Sequence, residues 1–233
     1  MSTLPFLLYP LLVLPLVLIW YAQSRVRRIF QQEDQVQNAE GITGLEAARE
    51  LLHEADLYQV SIEIRSGPFS DQYNPMTKIL RLSPRTARRD STLAVGIAGH
   101  EVGHAIQDAE GYTLMRVHNL LARWLMVLST VSPIAFIGGF IFGNLLLMIL
   151  AVGILALQLV FAFVTLPLER NASKRALQLL EQRGVILVFE EGSVRRVLRA
   201  AAFTYLASVG VRLGFFLFWF VLLASVARLR GGP

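Results

Sequence analysis

The sequence predicts an α+β membrane protein with about four transmembrane helices and one small soluble subdomain. Hydrophobic residues make up 54% of the 233-residue chain, charged residues 17%, and mean hydropathy is +0.51. A soluble domain carries about 25% charge. Apolar runs of membrane-crossing length stand at 4–22, within 124–168 and near 203–227. Between the first two, residues 40–123 change to amphipathic and alternating patterns. The chain has no cysteine, which excludes disulfides and thiolate metal sites. A transition metal would need His, Asp or Glu ligands. The net charge is +5 and the pI near 10. Because the basic residues flank apolar runs, this balance suits an anionic membrane surface and not nucleic acid.

The first element is an anchor over 1–23. Its "LPFLLYPLLVLPLVLIWYA" (4–22) is uncharged and ends on Trp20 and Tyr21, residues suited to the interface. Nothing basic precedes it and Arg25, Arg27 and Arg28 follow, unlike a cleaved signal peptide. Residues 24–123 form the soluble subdomain. "TGLEAARELLHEADL" (43–57) reads as a helix with a Thr43/Glu46 capping box and Leu45, Ala48, Leu52 and Ala55 on one face. "YQVSIEIR" (58–65) and "TKILRLS" (77–83) alternate like strands, with "DQYNP" (71–75) as a turn, which predicts a hairpin or edge-strand pair. Residues 90–110 read as a helix capped by Asp90 or Ser91.

Residues 124–168, between Arg123 and Glu169, hold two spans joined through "GGFIFGN" (139–145). Segment 169–202 begins as a helix reaching about Gln182, with Gly184 as its stop. Segment 203–233 carries the last span. Arg212 interrupts it, which suggests a span of only 213–229 and an interfacial or partly inserted helix over 194–211. Twelve Lys and Arg lie in 23–123 and seven in 169–202, so the positive-inside rule places both segments in the cytoplasm.

One motif carries chemistry. In "AGHEVGHAIQ" (98–107) His100 and His104 are one helical turn apart on one face. Two such imidazoles can chelate Zn²⁺, and Glu101, rotated about 100° from His100, can act as general base on a water that the metal acidifies. This is the HExxH pattern of zinc peptidases. The small residues Gly96, Ala98, Gly99, Gly103 and Ala105 allow another element to approach closely. A catalytic zinc needs a third protein ligand and an open position. The HExxHxxGxxH pattern fails, because Gln107 and Glu110 stand at its Gly and third His. His53 and His118 lack supporting context. Glu169, in "LPLERNASKRA" (166–176), emerges at the cytoplasmic end of the third span; by spacing alone it reads equally well as a solvated helix-end charge.

These stretches, with "SDQYNPMTKILRLS" upstream and "RAAAFTYLA" (199–207) downstream, resemble the bacterial YugP-type neutral zinc metallopeptidase family over nearly the whole chain. The layout is also similar to the HtpX-type membrane peptidases, whose third-ligand motif runs E-x-x-A-D. On that match Glu169 takes the ligand position, Ala172 keeps the Ala, and Ser173 replaces an Asp that supports a ligand His.

The resemblance implies a cytoplasmic, zincin-like (gluzincin-type) catalytic subdomain, with Zn²⁺ held by His100, His104 and Glu169 and with Glu101 catalytic. It implies a multi-pass protease of the bacterial inner (cytoplasmic) membrane that cleaves membrane or unfolded proteins. Protein or peptide substrates and the lipid bilayer are its expected partners. There is room for a membrane-protein regulator, and the oligomeric state is not set. The competing expectation is a catalytically silent, zinc-stabilised membrane scaffold. An intramembrane protease is disfavoured because only 93–99 is uniformly apolar before the motif. A transporter is disfavoured because 124–168 lacks ionisable residues. "TKILRLS" is a candidate cleft wall for strand addition, and Tyr73, Tyr205 and His118 are candidate oxyanion donors.

Overall fold

The computed structural model describes residues 4–67 and 70–230; the outermost residues of the two terminal segments, 1–3 and 231–233, lie outside them. The order is α1 (Leu4–Glu33), α2 (Gly44–Glu54), β1 (Ser61–Ile64), β2 (Gln72–Asn74), β3 (Ile79–Leu82), α3 (Pro84–Arg88), α4 (Thr92–Ala109), α5 (Thr113–Ile141), α6 (Leu145–Gln182) and α7 (Glu191–Arg230). The protein is mostly helical with one small sheet. Among the described residues, four helices are long and apolar enough to cross a membrane: Leu8–Glu33, Thr113–Ile141, Leu145–Gln182 and Glu191–Arg228.

The chain divides into two compact units. One comprises Met1–Gln23, Val117–Leu166 and Thr204–Pro233; the other comprises Ser24–Arg116 and Pro167–Phe203. In the first unit α5 and α6 form the expected hairpin. Gly143 turns the chain between them with φ +69, a left-handed conformation that glycine adopts without penalty. Phe136, Met148, Ala151, Val152 and Val226 are buried together, with the Phe136 and Trp219 rings 4.5 Å apart. α7 is one continuous helix of 40 residues and does not break at Arg212. An arginine costs a helix little propensity, so the charge marks a change of polarity and not an end of structure. The uncharged part of α6 before Glu169 is 24 residues, about 36 Å. That length alone crosses a hydrocarbon core of about 30 Å.

The second unit holds the sheet, α2, α3 and α4. The Thr43/Glu46 capping box is formed in full, with Thr43 N–H donating to Glu46 Oε2 at 2.7 Å. The buried face of α2 is Gly44, Ala47, Ala48, Leu51 and Leu52. Ala48 and Leu52 thus fall as expected, while Leu45 and Ala55 lie at the edge, partly buried. Ser91 caps α4, its hydroxyl accepting from Ala94 N–H. The sheet order is β1-β3-β2. β3 pairs parallel with β1 and antiparallel with β2. The expected turn at 71–75 is therefore partly strand, since Gln72–Asn74 is β2 and the reversal falls after it. Asn74 forms this turn by accepting from Met76 N–H at 2.9 Å, the local bonding that Asn offers at turns. As the central strand, β3 cannot receive a fourth strand; that correction moves the candidate cleft wall from "TKILRLS" to β2.

Candidate metal centre

α4 is buried along most of its length, and its glycines make this possible. A Cβ on Gly103 would lie 2.5 Å from the Ala172 backbone oxygen of α6, and one on Gly99 would lie 3.0 Å from Leu180 Cδ1. The two helices therefore approach nearly backbone to backbone, beside His100 and His104 on α4 and one turn from Glu169 on α6. Gly103→Ala is expected to force them apart at this point. It should cost about 1–3 kcal/mol, the usual penalty of overpacking, and weaken metal binding in parallel. Thermal unfolding and metal titration of the variant check both effects.

This close packing brings three expected residues together. His100 Nε2 is 3.2 Å from Glu169 Oε2, and His104 Nε2 is 3.7 Å from the same oxygen. The three ligand atoms lie within 4.8 Å of one another. Donors about 2.0–2.1 Å from one tetrahedral ion are about 3.3–3.4 Å apart, so small movements would close the group around a metal. His100 and Glu169 are buried, at 9% and 6% exposure. Among the described residues no Lys or Arg pairs with Glu169; its ionic partners are the two imidazoles. His53 instead meets the ring of Tyr58 edge-on, and His118 stacks on Phe161, so neither joins the cluster.

The opposite ring nitrogens are also engaged. His100 Nδ1 is 3.2 Å from Ser173 Oγ, so the serine that replaces the motif's Asp lies within hydrogen-bond reach of this ring. His104 Nδ1 is 2.9 Å from Gln107 Oε1. In the sequence Gln107 is only a departure from the HExxHxxGxxH pattern; its role depends on what α6 places opposite it. Glu101 is buried beside the rings, and its Oε2 accepts from the Tyr73 backbone N–H of β2 at 2.8 Å. The Tyr73 hydroxyl donates to Asp108 at 2.6 Å, where Lys78 also binds. Tyr73 thus clamps β2 to α4 at two points.

Burial raises Glu101 above the usual carboxylate range, against the opposing pull of His100, His104 and the Tyr73 N–H. Burial likewise works to raise Glu169, but the hydrogen bond from His100 and the close approach of His104 outweigh it and hold the carboxyl far below the usual range. For His104, burial disfavours the imidazolium, yet the Glu169 carboxylate 3.7 Å away and the charge of Glu101 raise it to about 9. A proton therefore competes with a metal for His104 up to about that pH. Apparent metal affinity should rise by about tenfold per pH unit on approach to this value and then level off, because one proton leaves as the metal enters. Metal titrations at stepped pH check this, with a flat profile as the contrary result.

The family description "Putative neutral zinc metallopeptidase" matches the chain over residues 8–224. "Putative membrane protease YugP" of Bacillus subtilis (strain 168) is 37% identical over 203 residues, which cover 87% of this chain and 90% of that protein. No solved structure matches. The match spans both the His-bearing helix and the Glu-bearing helix, and the chain belongs to this family of neutral zinc metallopeptidases.

Proposed function

We propose that the protein is a multi-pass zinc endopeptidase of the bacterial inner (cytoplasmic) membrane, with His100, His104 and Glu169 as metal ligands and Glu101 as the proton-transfer group. The observation that carries this reading is the meeting of two imidazoles and one carboxylate, from α4 and α6, with their ligand atoms within 4.8 Å of one another. Two nitrogens and one oxygen are a donor set that suits zinc, and three protein ligands leave a fourth position open. Bound there, zinc would act as a Lewis acid and lower the pKa of a water molecule to about 7.

The chain's own residues supply the rest. Glu101 would accept a proton from the water that adds to the peptide carbonyl and return it to the amine nitrogen as the C–N bond breaks. The Tyr73 N–H holds one Glu101 oxygen in place, while Ser173 and Gln107 hold the two rings. β2 borders Glu101, which suits a polypeptide in extended form, such as an unfolded protein or the flank of a membrane protein. In this reading segments 1–23, 124–168 and 203–233 lie in the membrane. Segments 24–123 and 169–202 form a gluzincin-type subdomain on the cytoplasmic side, where the Lys and Arg bias places them.

Chelation of the purified protein should abolish cleavage of an unfolded test protein, and one equivalent of zinc should restore it. Zinc-loaded protein that cleaves neither unfolded nor membrane-protein substrates, together with normal cellular function of Glu101→Ala, would favour the silent scaffold instead.

A further inference from the structure

Gln107 has no exposed surface, and its amide is engaged at both ends. Its Nε2 donates to the Leu168 backbone oxygen and to Asn171 Oδ1, each at 2.9 Å. Its Oε1 faces His104 Nδ1 at 2.9 Å. The polarity of this arrangement is forced. A backbone carbonyl can only accept, so the amide nitrogen must face Leu168 and the amide oxygen must face His104. An oxygen there can only accept, so Nδ1 of His104 must carry the proton. In the neutral ring, the form that binds a metal, Nε2 is then the nitrogen that offers its lone pair.

The neighbouring bonds fix the same sense from outside. Arg175 Nε, which can only donate, bonds Asn171 Oδ1 at 2.7 Å, so that atom is the oxygen of Asn171. Both outer nitrogens of Arg175 donate to Glu110, each at 2.7 Å. A line of bonds of defined direction therefore runs Glu110–Arg175–Asn171–Gln107–His104. His100 lacks such a line, because the Ser173 hydroxyl can donate or accept.

We infer that Gln107 is a positioning residue for the metal centre. It sets the tautomer of His104 and ties the turn of α4 that carries this ligand to the turn of α6 that carries Glu169. Asn171 reinforces the direction of the Gln107 amide that the Leu168 carbonyl sets, without touching any ligand. This inference rests on the reading of His104 as a metal ligand.

The test is zinc affinity of the full-length protein by chelator competition, for wild type, Gln107→Leu, Asn171→Leu and Asn171→Asp, with thermal unfolding of each in the absence of metal. Loss of a hydrogen-bonding partner behind a ligand His costs about 10–100-fold in metal affinity; Gln107→Leu should lose that much, and Asn171→Leu, one bond further out, a smaller part of it. Asn171→Asp keeps the accepting oxygen and should stay near wild type. Histidine ¹⁵N NMR of the zinc-loaded protein should show a protonated Nδ1 at His104 in wild type and Asn171→Asp. If buried Gln107→Leu does not fold, the half-buried Asn171 pair decides alone. Leu variants that bind zinc as wild type does, or that melt earlier with unchanged zinc affinity, overturn the inference while leaving the metal centre intact. A wild-type protein that takes up no zinc overturns both.

Discussion

Glu101→Gln is expected to lower peptide-bond cleavage by about 10²–10⁴-fold, the usual worth of a general acid–base group, while zinc content stays at the wild-type level. The separation of the two effects follows from geometry. Glu101 lies next to His100 on α4, but its carboxylate turns to the Tyr73 N–H and stands outside the cluster of His100, His104 and Glu169. Glutamine is nearly isosteric and can still accept from Tyr73, so β2 and α4 should remain docked. Only the ability to take and return a proton is removed. Cleavage rates and metal content measured on the same preparation check this, and full turnover in the variant would refute the assignment of Glu101.

Glu169→Ala is expected to abolish cleavage by removing the metal itself. Zinc affinity should fall by well over the roughly 10–100-fold that loss of a supporting partner costs, since a ligand is deleted. Two imidazoles would remain without the carboxylate that now lies against both. Glu169→Asp should recover part of the affinity, because the charge returns on a shorter arm. A solvated helix-end charge would behave otherwise, with neither zinc uptake nor cleavage changing on substitution.

Much of this centre could be read in the sequence because helix geometry is local. His100 and His104 are four apart, which places them together on any α-helix, and Ser91 and Thr43 announce their helices by capping. Glu169 was accessible through its place after an uncharged run and through resemblance, since spacing alone left it ambiguous. The roles of Ser173, Gln107 and Asn171 were not legible. Each depends on the register of α4 against α6, which is set by the approach of Gly103 to Ala172, 69 residues apart. β2 was missed because three residues ending on Asn74 carry turn chemistry more strongly than strand alternation. The pairing of β1 with β3 was hidden for a related reason: two alternating runs separated by a turn signal suggest a hairpin, whereas here β2 enters between them in sequence and leaves them parallel. α7 is unbroken at Arg212 because hydropathy reports where a charge prefers to be, not where a helix ends.

Zinc-edge X-ray absorption of the purified wild-type protein examines the convergence of α4 and α6 most directly. The expected spectrum contains two imidazoles and at least one oxygen at about 2.0–2.1 Å, with the imidazole count falling by one in His100→Ala and in His104→Ala. A zinc ion ligated by three or four imidazoles, which would have to recruit His53 or His118, or a protein that holds no zinc after purification and reloading, would contradict it.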